Sequence, residues 1–191
     1  MSGEVLRSSS TDGILTLTLS SPEKRKALNR ALVEALIEAL ARAGRDDEVR
    51  VVAIRGAGRD FCAGADLSEL ERVSDMGADE NLEDARRLGA LFASMRTLSK
   101  PVVAVVHGRA LAGGCGLATA CDMVLAASDA RFGYPEVRLG FVPAMVMAIL
   151  RRSVGEKRAF ELISLGETIE AEVAESIGLV NRVFPAENFE A

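Results

Sequence analysis

Two glycine-containing turns follow predicted strands and free backbone N–H groups that could bind a negative charge. They are Phe61-Cys-Ala-Gly-Ala-Asp-Leu67 and Gly108-Arg-Ala-Leu-Ala-Gly-Gly-Cys-Gly-Leu117, and in the second a Gly-Gly pair opens a helical pattern. The first N–H groups of a helix have no acceptor within it, and the helix dipole is positive at that end. Such a turn binds either a phosphate or the oxyanion that develops on a carbonyl during enolate chemistry. Close packing of helix on strand needs the same glycines, so the spacing alone leaves a purely structural role open.

A nucleotide phosphate is the weaker of the two anions. The spacing from Gly108 to Gly113 begins like a phosphate loop, but Gly114-Cys115 stands where a Lys and a Ser or Thr belong. Phe61 occupies the third glycine position of a dinucleotide fingerprint that would begin at Gly56. Neither nucleotide-binding pattern is therefore complete.

Glu136 is the carboxylate with the most chemical interest. Tyr134-Pro135 precedes it and the segment 137–142, Val-Arg-Leu-Gly-Phe-Val, follows it, so its sequence neighbourhood is rather apolar. An apolar pocket raises the pKa of a glutamate towards that of a working general base. From the residues alone, a solvated loop glutamate paired with Arg138 is the favoured alternative.

Three other features carry weaker signals. Lys24-Arg25-Lys26 fits an acidic ligand, although a plain solvated turn looks the same. Cys115 needs a nearby base to act as a nucleophile, and a small buried side chain is its default interpretation. His107 ends an apolar strand and is interpreted as structural.

The elements that position these residues alternate in type. Period-two patterning predicts a strand over Ile14–Leu19, and apolar spacings of three and four after Asn29, a candidate N-cap, predict an amphipathic helix ending near Gly44. Further strands are predicted over 49–54, 101–106, 122–127 and 179–184, and further helices over 82–98, 113–121, 144–152, 156–165 and 171–177. Strands interleaved with helices indicate an α/β fold, in which sites form where loops leave the strands.

Composition excludes several classes of function. The chain has 191 residues, 49% of them hydrophobic, and a formal net charge of −5 without a basic stripe, which argues against nucleic acid as a partner. One histidine and three cysteines without CxxC spacing argue against a zinc site. The absence of a signal-like start, of a long apolar run and of a disulfide pattern leads us to expect a cytoplasmic protein with no membrane association.

Taken together, these segments resemble the crotonase family, also called the enoyl-CoA hydratase/isomerase superfamily. Four stretches carry the resemblance in the family's order: Lys26-Ala-Leu-Asn29, Phe61 to Leu67, Pro101 to Asp122, and Phe132-Gly-Tyr-Pro-Glu-Val-Arg-Leu-Gly140. The segments 156–160 and 174–183 are similar to the later part of the family. The similarity covers nearly the whole chain, and the combination of A-G-A-D with A-G-G-C-G is specific.

The resemblance implies one domain over 1–191, with a spiral of repeated ββα units over about 1–143 and the start of a shortened C-terminal helical part over 144–191. It implies that this spiral binds an acyl-CoA thioester. By position, the N–H groups of Ala65 and Gly113 form an oxyanion hole for the thioester enolate, and Glu136 moves protons. The residues implied to border coenzyme A are Lys24, Arg25, Lys26, Ala27, Ala63, Ala65, Asp66, Leu67, Ser68, Gly113 and Pro135. Coenzyme A then enters as part of the substrate, with no separate cofactor and no metal, and the assembly expected by resemblance is a homotrimer or a hexamer built as a dimer of trimers.

The chain departs from the family's pattern in its site. A two-carboxylate hydratase has a glutamate three residues after the oxyanion-hole glycine, and here that position is Gly116. Ala144-Met-Val-Met147 replaces the glycine-rich helix start that many hydratases have after the proline corresponding to Pro143. The second departure is expected to make the acyl pocket more apolar.

Hydration of a 2-enoyl-CoA, a lyase reaction, is the favoured activity, because some hydratases that act on branched or carboxylated enoyl-CoAs resemble this variant with glycine in place of the glutamate. Glu136 would then act in turn as base and acid through one water. A single carboxylate also suits a double-bond isomerase, which removes a proton at one carbon and returns it two carbons away. A shortened member that binds acyl-CoA without turnover is the third alternative. A related ClpP-like protease is disfavoured, because only His107 is available for a triad.

Overall fold

The fold is built on a mostly parallel sheet whose strands alternate with helices. The computed structural model describes residues 5–20, 28–62 and 77–189. Within these residues six strands form one sheet in the order β1-β2-β3-β4-β6-β9, and three short strands form a second in the order β5-β7-β8. The strands are β1 (Leu6–Thr11), β2 (Ile14–Leu19), β3 (Val51–Gly56), β4 (Val102–Val106), β5 (Arg109–Leu111), β6 (Met123–Ala127), β7 (Arg131–Gly133), β8 (Thr168–Glu170) and β9 (Arg182–Phe184).

Helices cover the sheets. They are α1 (Arg30–Arg45), α2 (Ala78–Thr97), α3 (Gly113–Ala120), α4 (Ala144–Ser153), α5 (Glu156–Leu165) and α6 (Ala171–Ser176), with 3-10 turns over Pro135–Leu139 and Ala186–Asn188. The predicted N-cap is confirmed, since the Asn29 side chain accepts a hydrogen bond from the Leu32 N–H at 3.0 Å. Leu32 and Leu36 of α1 are buried, and so are Val52 and Ile54 of β3, so the predicted apolar faces form the core.

The main sheet and the short sheet together build the repeated ββα unit that the resemblance implies. β4 leads into β5 and then α3, and β6 leads into β7 and then the 3-10 turn and α4. An earlier unit has the same plan, because Cys62, after β3, forms an isolated parallel bridge with Ala110 of β5. Each unit therefore carries the chain from the main sheet to the short sheet and on towards a helix, which confirms the predicted α/β spiral.

Several elements differ from the sequence-based expectations. β1 was not predicted, because its sequence LRSSST is polar and mostly exposed; pairing with β2 from Leu6↔Leu19 to Thr11↔Ile14 holds it in place. The strand predicted over 179–184 begins only at Arg182, since the N–H groups of Leu179 and Val180 both donate to the carbonyl of Ala174. The segment around Glu136, expected as a loop, is a 3-10 turn with Pro135 at its start.

The turn between β5 and α3 is held from two sides. Ala112 has φ 49° and ψ −129°, a positive-φ conformation that a side chain disfavours. Its N–H donates to the carbonyl of Gly133 at 2.9 Å, and the Leu111 N–H donates to the carbonyl of Cys62 at 3.0 Å. A Cβ on Gly114 would lie 2.6 Å from the Cys62 Cβ, so only glycine permits this approach.

A buried hydrogen bond joins the end of β7 to α3. Tyr134 is fully buried, and its hydroxyl lies 2.6 Å from Thr119 Oγ1. Because the Thr119 hydroxyl donates to the carbonyl of Cys115 at 2.8 Å, the Tyr134 hydroxyl is the donor to Thr119. The segment leading to Glu136 is thereby tied to the helix that starts at Gly113.

We expect Ala112→Gly to stabilise the protein. A residue held in a disfavoured backbone conformation destabilises the folded state by about 1–3 kcal/mol, and glycine would relieve this strain. Glycine also loses more backbone entropy on folding than alanine, which reduces the gain by roughly 0.5–1 kcal/mol. The melting temperature followed by circular dichroism should rise by roughly 1–6 °C. Ala112→Val is the matched comparison and should melt below the native chain; a glycine variant that also melts lower would contradict strain at this turn.

Tyr134→Phe and Thr119→Val should both lower the melting temperature, and their effects should not add. Each variant removes one partner of the same buried hydrogen bond, which contributes about 0.5–1.5 kcal/mol. A double-mutant cycle measured by urea unfolding should therefore show a coupling free energy of about 0.5 kcal/mol or more. Additive effects would mean that the hydroxyl pair does not link the two segments.

Candidate active site

The start of α3 provides backbone donors at the position where the sequence predicts an oxyanion hole. The N–H of Gly116 donates to the carbonyl of Ala112 at 3.0 Å, which is the first bond of the helix. The N–H groups of Gly113, Gly114 and Cys115 therefore have no hydrogen-bond acceptor within the helix. Residues 114–120 are all buried, so the positive end of the helix dipole acts in surroundings of low polarity, where it stabilises negative charge most.

The chain reaches the second predicted donor segment beside the start of α3. Cys62, the last described residue before that segment, accepts the Leu111 N–H, and its side chain lies against Gly114. Ala65 follows Cys62 by three residues and lies outside the described residues. The same is true of the predicted coenzyme A contacts Lys24, Arg25, Lys26, Ala27, Ala63, Asp66, Leu67 and Ser68. Their roles stay predictions.

An ion pair outside the predicted site fixes the strand that carries this turn. The Arg109 guanidinium donates to both carboxylate oxygens of Asp60, from Nε at 3.0 Å and from Nη2 at 2.8 Å. The Arg109 N–H also donates to Asp60 Oδ1 at 3.1 Å. The pair holds the segment before Cys62 against β5. No sequence signal identified it, because Asp60 and Arg109 are far apart in the chain.

Glu136 lies in the first turn of the 3-10 segment, directly after Pro135. Its Oε2 atom is buried and accepts no hydrogen bond from any residue in the described part of the chain, Arg138 included. Burial raises the pKa of the Glu136 carboxyl above its ordinary value, and a backbone hydrogen bond opposes this only in part. A half-buried carboxyl with one buried oxygen that has no partner among the described residues is suited to exchanging a proton with a bound group. The structure thus supports the proton-transfer interpretation over the solvated pair with Arg138.

Strand pairing places the segments that lead to Glu136 and to Gly113 side by side. Leu111 of β5 and Gly133 of β7 are register partners, and the Ala112 N–H donates to the Gly133 carbonyl. From this shared position the chain needs two residues to reach Gly113 and three to reach Glu136. Gly113 and Glu136, the predicted oxyanion-hole donor and proton-transfer group, therefore both follow the carboxyl end of the short sheet.

The two departures noted in the sequence meet in space. Gly116 of α3 packs against Val146 of α4, and a Cβ built on Gly116 would lie 2.6 Å from Val146 Cγ2. Phe92 of α2 is the next neighbour, with its Cζ 3.7 Å from that position. A glutamate at position 116 would therefore require Val146 to shift, a contact that sequence reasoning did not identify.

The structural interpretations of Cys115 and His107 agree with the geometry. Cys115 is buried, and burial raises the pKa of its thiol to about 12, so the thiolate needed for nucleophilic attack does not form near neutral pH. His107 Nε2 donates to the carbonyl of Gly58 at 2.7 Å and so links two turns.

No cluster of metal-binding side chains and no membrane span was found in the described ranges. Among these residues, no group of three or more His, Cys, Asp or Glu is placed to hold a metal ion. No helix in the same ranges is long and apolar enough to cross a bilayer.

Comparison with known proteins identifies the family. Residues 9–191 match the family model described as enoyl-CoA hydratase/isomerase. A relative from Thermus thermophilus is 46% identical over 172 residues, which are 90% of this chain and 68% of that protein. The 2,3-dehydroadipyl-CoA hydratase of Escherichia coli is 43% identical, over 91% of this chain and 67% of its own length. The chain thus spans about two thirds of the length of these relatives.

A solved structure supports the same assignment. The crystal structure of an enoyl-CoA hydratase from Mycobacterium smegmatis superposes with a TM-score of 0.91 at 34% identity, covering 98% of this chain and 72% of that one. The matched range includes both described halves of the site, the start of α3 and Glu136. The chain therefore belongs to the enoyl-CoA hydratase/isomerase family, the crotonases, and is an enoyl-CoA hydratase-like enzyme.

Proposed function

We propose that the chain hydrates a 2-enoyl-CoA thioester with Glu136 as the only carboxyl that moves protons. The observation that carries this proposal is the buried Oε2 of Glu136, which has no partner among the described residues and is tied through the β5–β7 register to the start of α3. Addition of water to the conjugated double bond needs a proton acceptor for the water and a proton donor for the α-carbon. It also needs a site for the charge that forms on the thioester oxygen.

The start of α3 would supply the charge stabilisation. As water attacks the β-carbon, the π electrons of the double bond move onto the thioester and its oxygen becomes an enolate. The Gly113 N–H, at the positive end of a buried helix, faces developing negative charge at this point. One such donor contributes about 2.7–4 kcal/mol of transition-state stabilisation. Ala65 is proposed as the second donor.

Glu136 would supply both proton transfers. Its carboxylate takes a proton from water as the new C–O bond forms, and the resulting carboxylic acid then returns that proton to the α-carbon as the enolate collapses. The carboxyl ends in its starting state, so no second acid is required. Burial favours this cycle, because it raises the pKa of Glu136 and brings the acid and base forms closer in free energy near neutral pH.

Double-bond isomerisation is a second candidate, and Gly116 is the observation that favours it. With Val146 against Gly116, α3 offers no second carboxyl next to the oxyanion-hole donor. An isomerase needs only one base, which removes a proton from the α-carbon of a 3-enoyl-CoA and returns it two carbons along. Both reactions pass through the same enolate, so they use the same oxyanion hole.

The surroundings of the site are proposed from the resemblance. The contacts to coenzyme A would come from residues 24–27, 63 and 65–68 together with Gly113 and Pro135, and coenzyme A would be part of the substrate rather than a separate cofactor. A single domain, a homotrimer or a dimer of trimers, and a cytoplasmic location are proposed as well. Strongly exposed apolar side chains support an assembly: Val142 is 71% exposed and Phe160 is 65% exposed.

We expect Glu136→Gln to abolish hydration while leaving the thioester bound. The amide cannot accept the proton of water, and loss of a general base lowers the rate by about 10²–10⁴-fold. Turnover is followed by the loss of conjugated-thioester absorbance of a short trans-2-enoyl-CoA, and binding by calorimetry with an unreactive acyl-CoA.

A 3-enoyl-CoA tested in parallel separates the alternatives. Gain of conjugated absorbance from this substrate alone would make the protein an isomerase. Binding without turnover of either substrate by the native chain would favour an inactive acyl-CoA-binding member. Unchanged hydration by Glu136→Gln would remove Glu136 from the mechanism. Asp60→Asn is unsuitable as a control because it breaks the Arg109 pair, so Glu48→Gln, at an exposed glutamate in the turn before β3, serves as the matched variant.

The raised pKa of Glu136 predicts two pH effects. Activity should fall as pH falls through that pKa, because the base must be ionised.

The folded state binds the proton of Glu136 more tightly than the unfolded state does. The native chain therefore loses stability as pH rises from the ordinary pKa of glutamate towards the raised pKa of Glu136 in the folded state. Glu136→Gln should therefore melt higher than the native chain at neutral pH, with the difference gone below about pH 4. A variant that melts lower at neutral pH would show that the carboxylate is stabilised by its surroundings.

A further inference from the structure

The contact between Gly116 and Val146 joins α3, which begins at the candidate site, to α4, which follows the turn that carries Glu136. Val146 is 4% exposed, and with Leu150 it forms the buried face of α4. A Cβ at position 116 would lie 2.6 Å from its Cγ2 and 3.6 Å from its Cγ1. Because atoms of real side chains do not approach to 2.6 Å, any side chain at position 116 requires Val146 to move.

The start of α3 has no room to retreat from Val146. On its other side α3 lies against Cys62, where a Cβ on Gly114 would already be 2.6 Å from the Cys62 Cβ and 2.7 Å from its Sγ. A β-branched valine within a helix is restricted to one main χ1 rotamer, so Val146 cannot turn its methyl groups away at low cost. Position 116 and position 146 therefore compete for one volume.

Position 116 lies beside the predicted oxyanion-hole donor. It follows Gly113 by three residues in α3, and residues with this spacing share one helix face. A carboxyl at position 116 would consequently stand next to the charge that forms on the thioester oxygen, whereas in this chain the space beside Gly116 is filled by the methyl groups of Val146.

We propose that Val146 is a specificity-determining residue. Its side chain fills the space beside Gly116 and so leaves no room for a second carboxyl at position 116. In this way it sets the balance between hydration and isomerisation. The effect of Val146 on the reaction rests on the proposed function. The competition between positions 116 and 146 for one volume does not depend on that function. The two parts are tested separately.

The shared volume is tested by a stability cycle over Gly116→Ala, Val146→Ala and the double variant. Gly116→Ala should lower the melting temperature by roughly 2–10 °C through overpacking, and Val146→Ala should lower it through the loss of buried methyl groups. In the double variant the new methyl enters the space that Val146 leaves, so the loss should be clearly smaller than the sum. Additive losses, or a Gly116→Ala variant as stable as the native chain, would overturn the proposal.

The chemical consequence is tested with Gly116→Glu, alone and combined with Val146→Ala. The single variant should fold poorly. The combined variant should recover stability, gain a second ionisation in the pH profile of kcat/KM, and raise the ratio of 2-enoyl-CoA hydration to 3-enoyl-CoA isomerisation at least about tenfold over Val146→Ala. Gly116→Glu with Met145→Ala is the matched control, since Met145 is on the same helix but is not among the nearest neighbours of the added atom; it should recover nothing.

The outcomes separate this inference from the proposed function. A combined variant that folds but keeps one ionisation and an unchanged ratio would overturn the role of Val146 in specificity. If the native chain turns over neither substrate, the proposed function fails, whereas the stability cycle still decides whether the two positions share one volume.

Discussion

The candidate site depends on the short parallel pairing of β5 with β7. This pairing aligns Leu111 with Gly133, and the Gly133 carbonyl accepts the N–H of Ala112, the residue whose positive φ turns the chain into α3. A turn with this conformation persists only where its surroundings hold it. The same few residues therefore fix the helix start that presents Gly113 and the segment that carries Glu136, so the two groups cannot shift independently.

Close packing around α3 limits which side chains can stand beside the helix start, and therefore which chemistry the site can perform. The helix is buried on all sides, with Cys62 against Gly114 and Val146 against Gly116. Burial strengthens the electrostatic effect of the helix start, because little solvent screens it. It also leaves no free volume at Gly114 and Gly116, so a side chain added at either position must be matched by a change at its neighbour. The sequence departures at Gly116 and at 144–147 are for this reason one structural feature.

Much of this arrangement could be predicted from the sequence, because its signals are local. The N-cap at Asn29, the apolar face of α1 and the Gly-Gly start of α3 follow from spacing and residue type. The three-residue strands β5 and β7 are too short for a period-two pattern, and polar β1 exists only because β2 pairs with it. The contacts Asp60 to Arg109, Tyr134 to Thr119 and Gly116 to Val146 join distant segments, and a single sequence carries no signal for such pairs. The resemblance supplied the role of Glu136, whereas its burial and unsatisfied oxygen required the structure.

With Glu136 as the one carboxyl that moves protons, as proposed, the site has a simpler acid–base behaviour than a pair would give. Two carboxyls in one buried site repel when both are ionised, so their titrations are coupled and each pKa depends on the state of the other. The pKa of Glu136 is raised chiefly by burial, with no neighbouring carboxylate contributing among the described residues. Its proton affinity therefore responds to whatever excludes water from it, above all a bound thioester. In the proposed hydration, substrate binding would then raise the pKa of Glu136 further at the step where its carboxylate takes a proton from water. The burial that destabilises the Glu136 carboxylate would therefore also make it a stronger base.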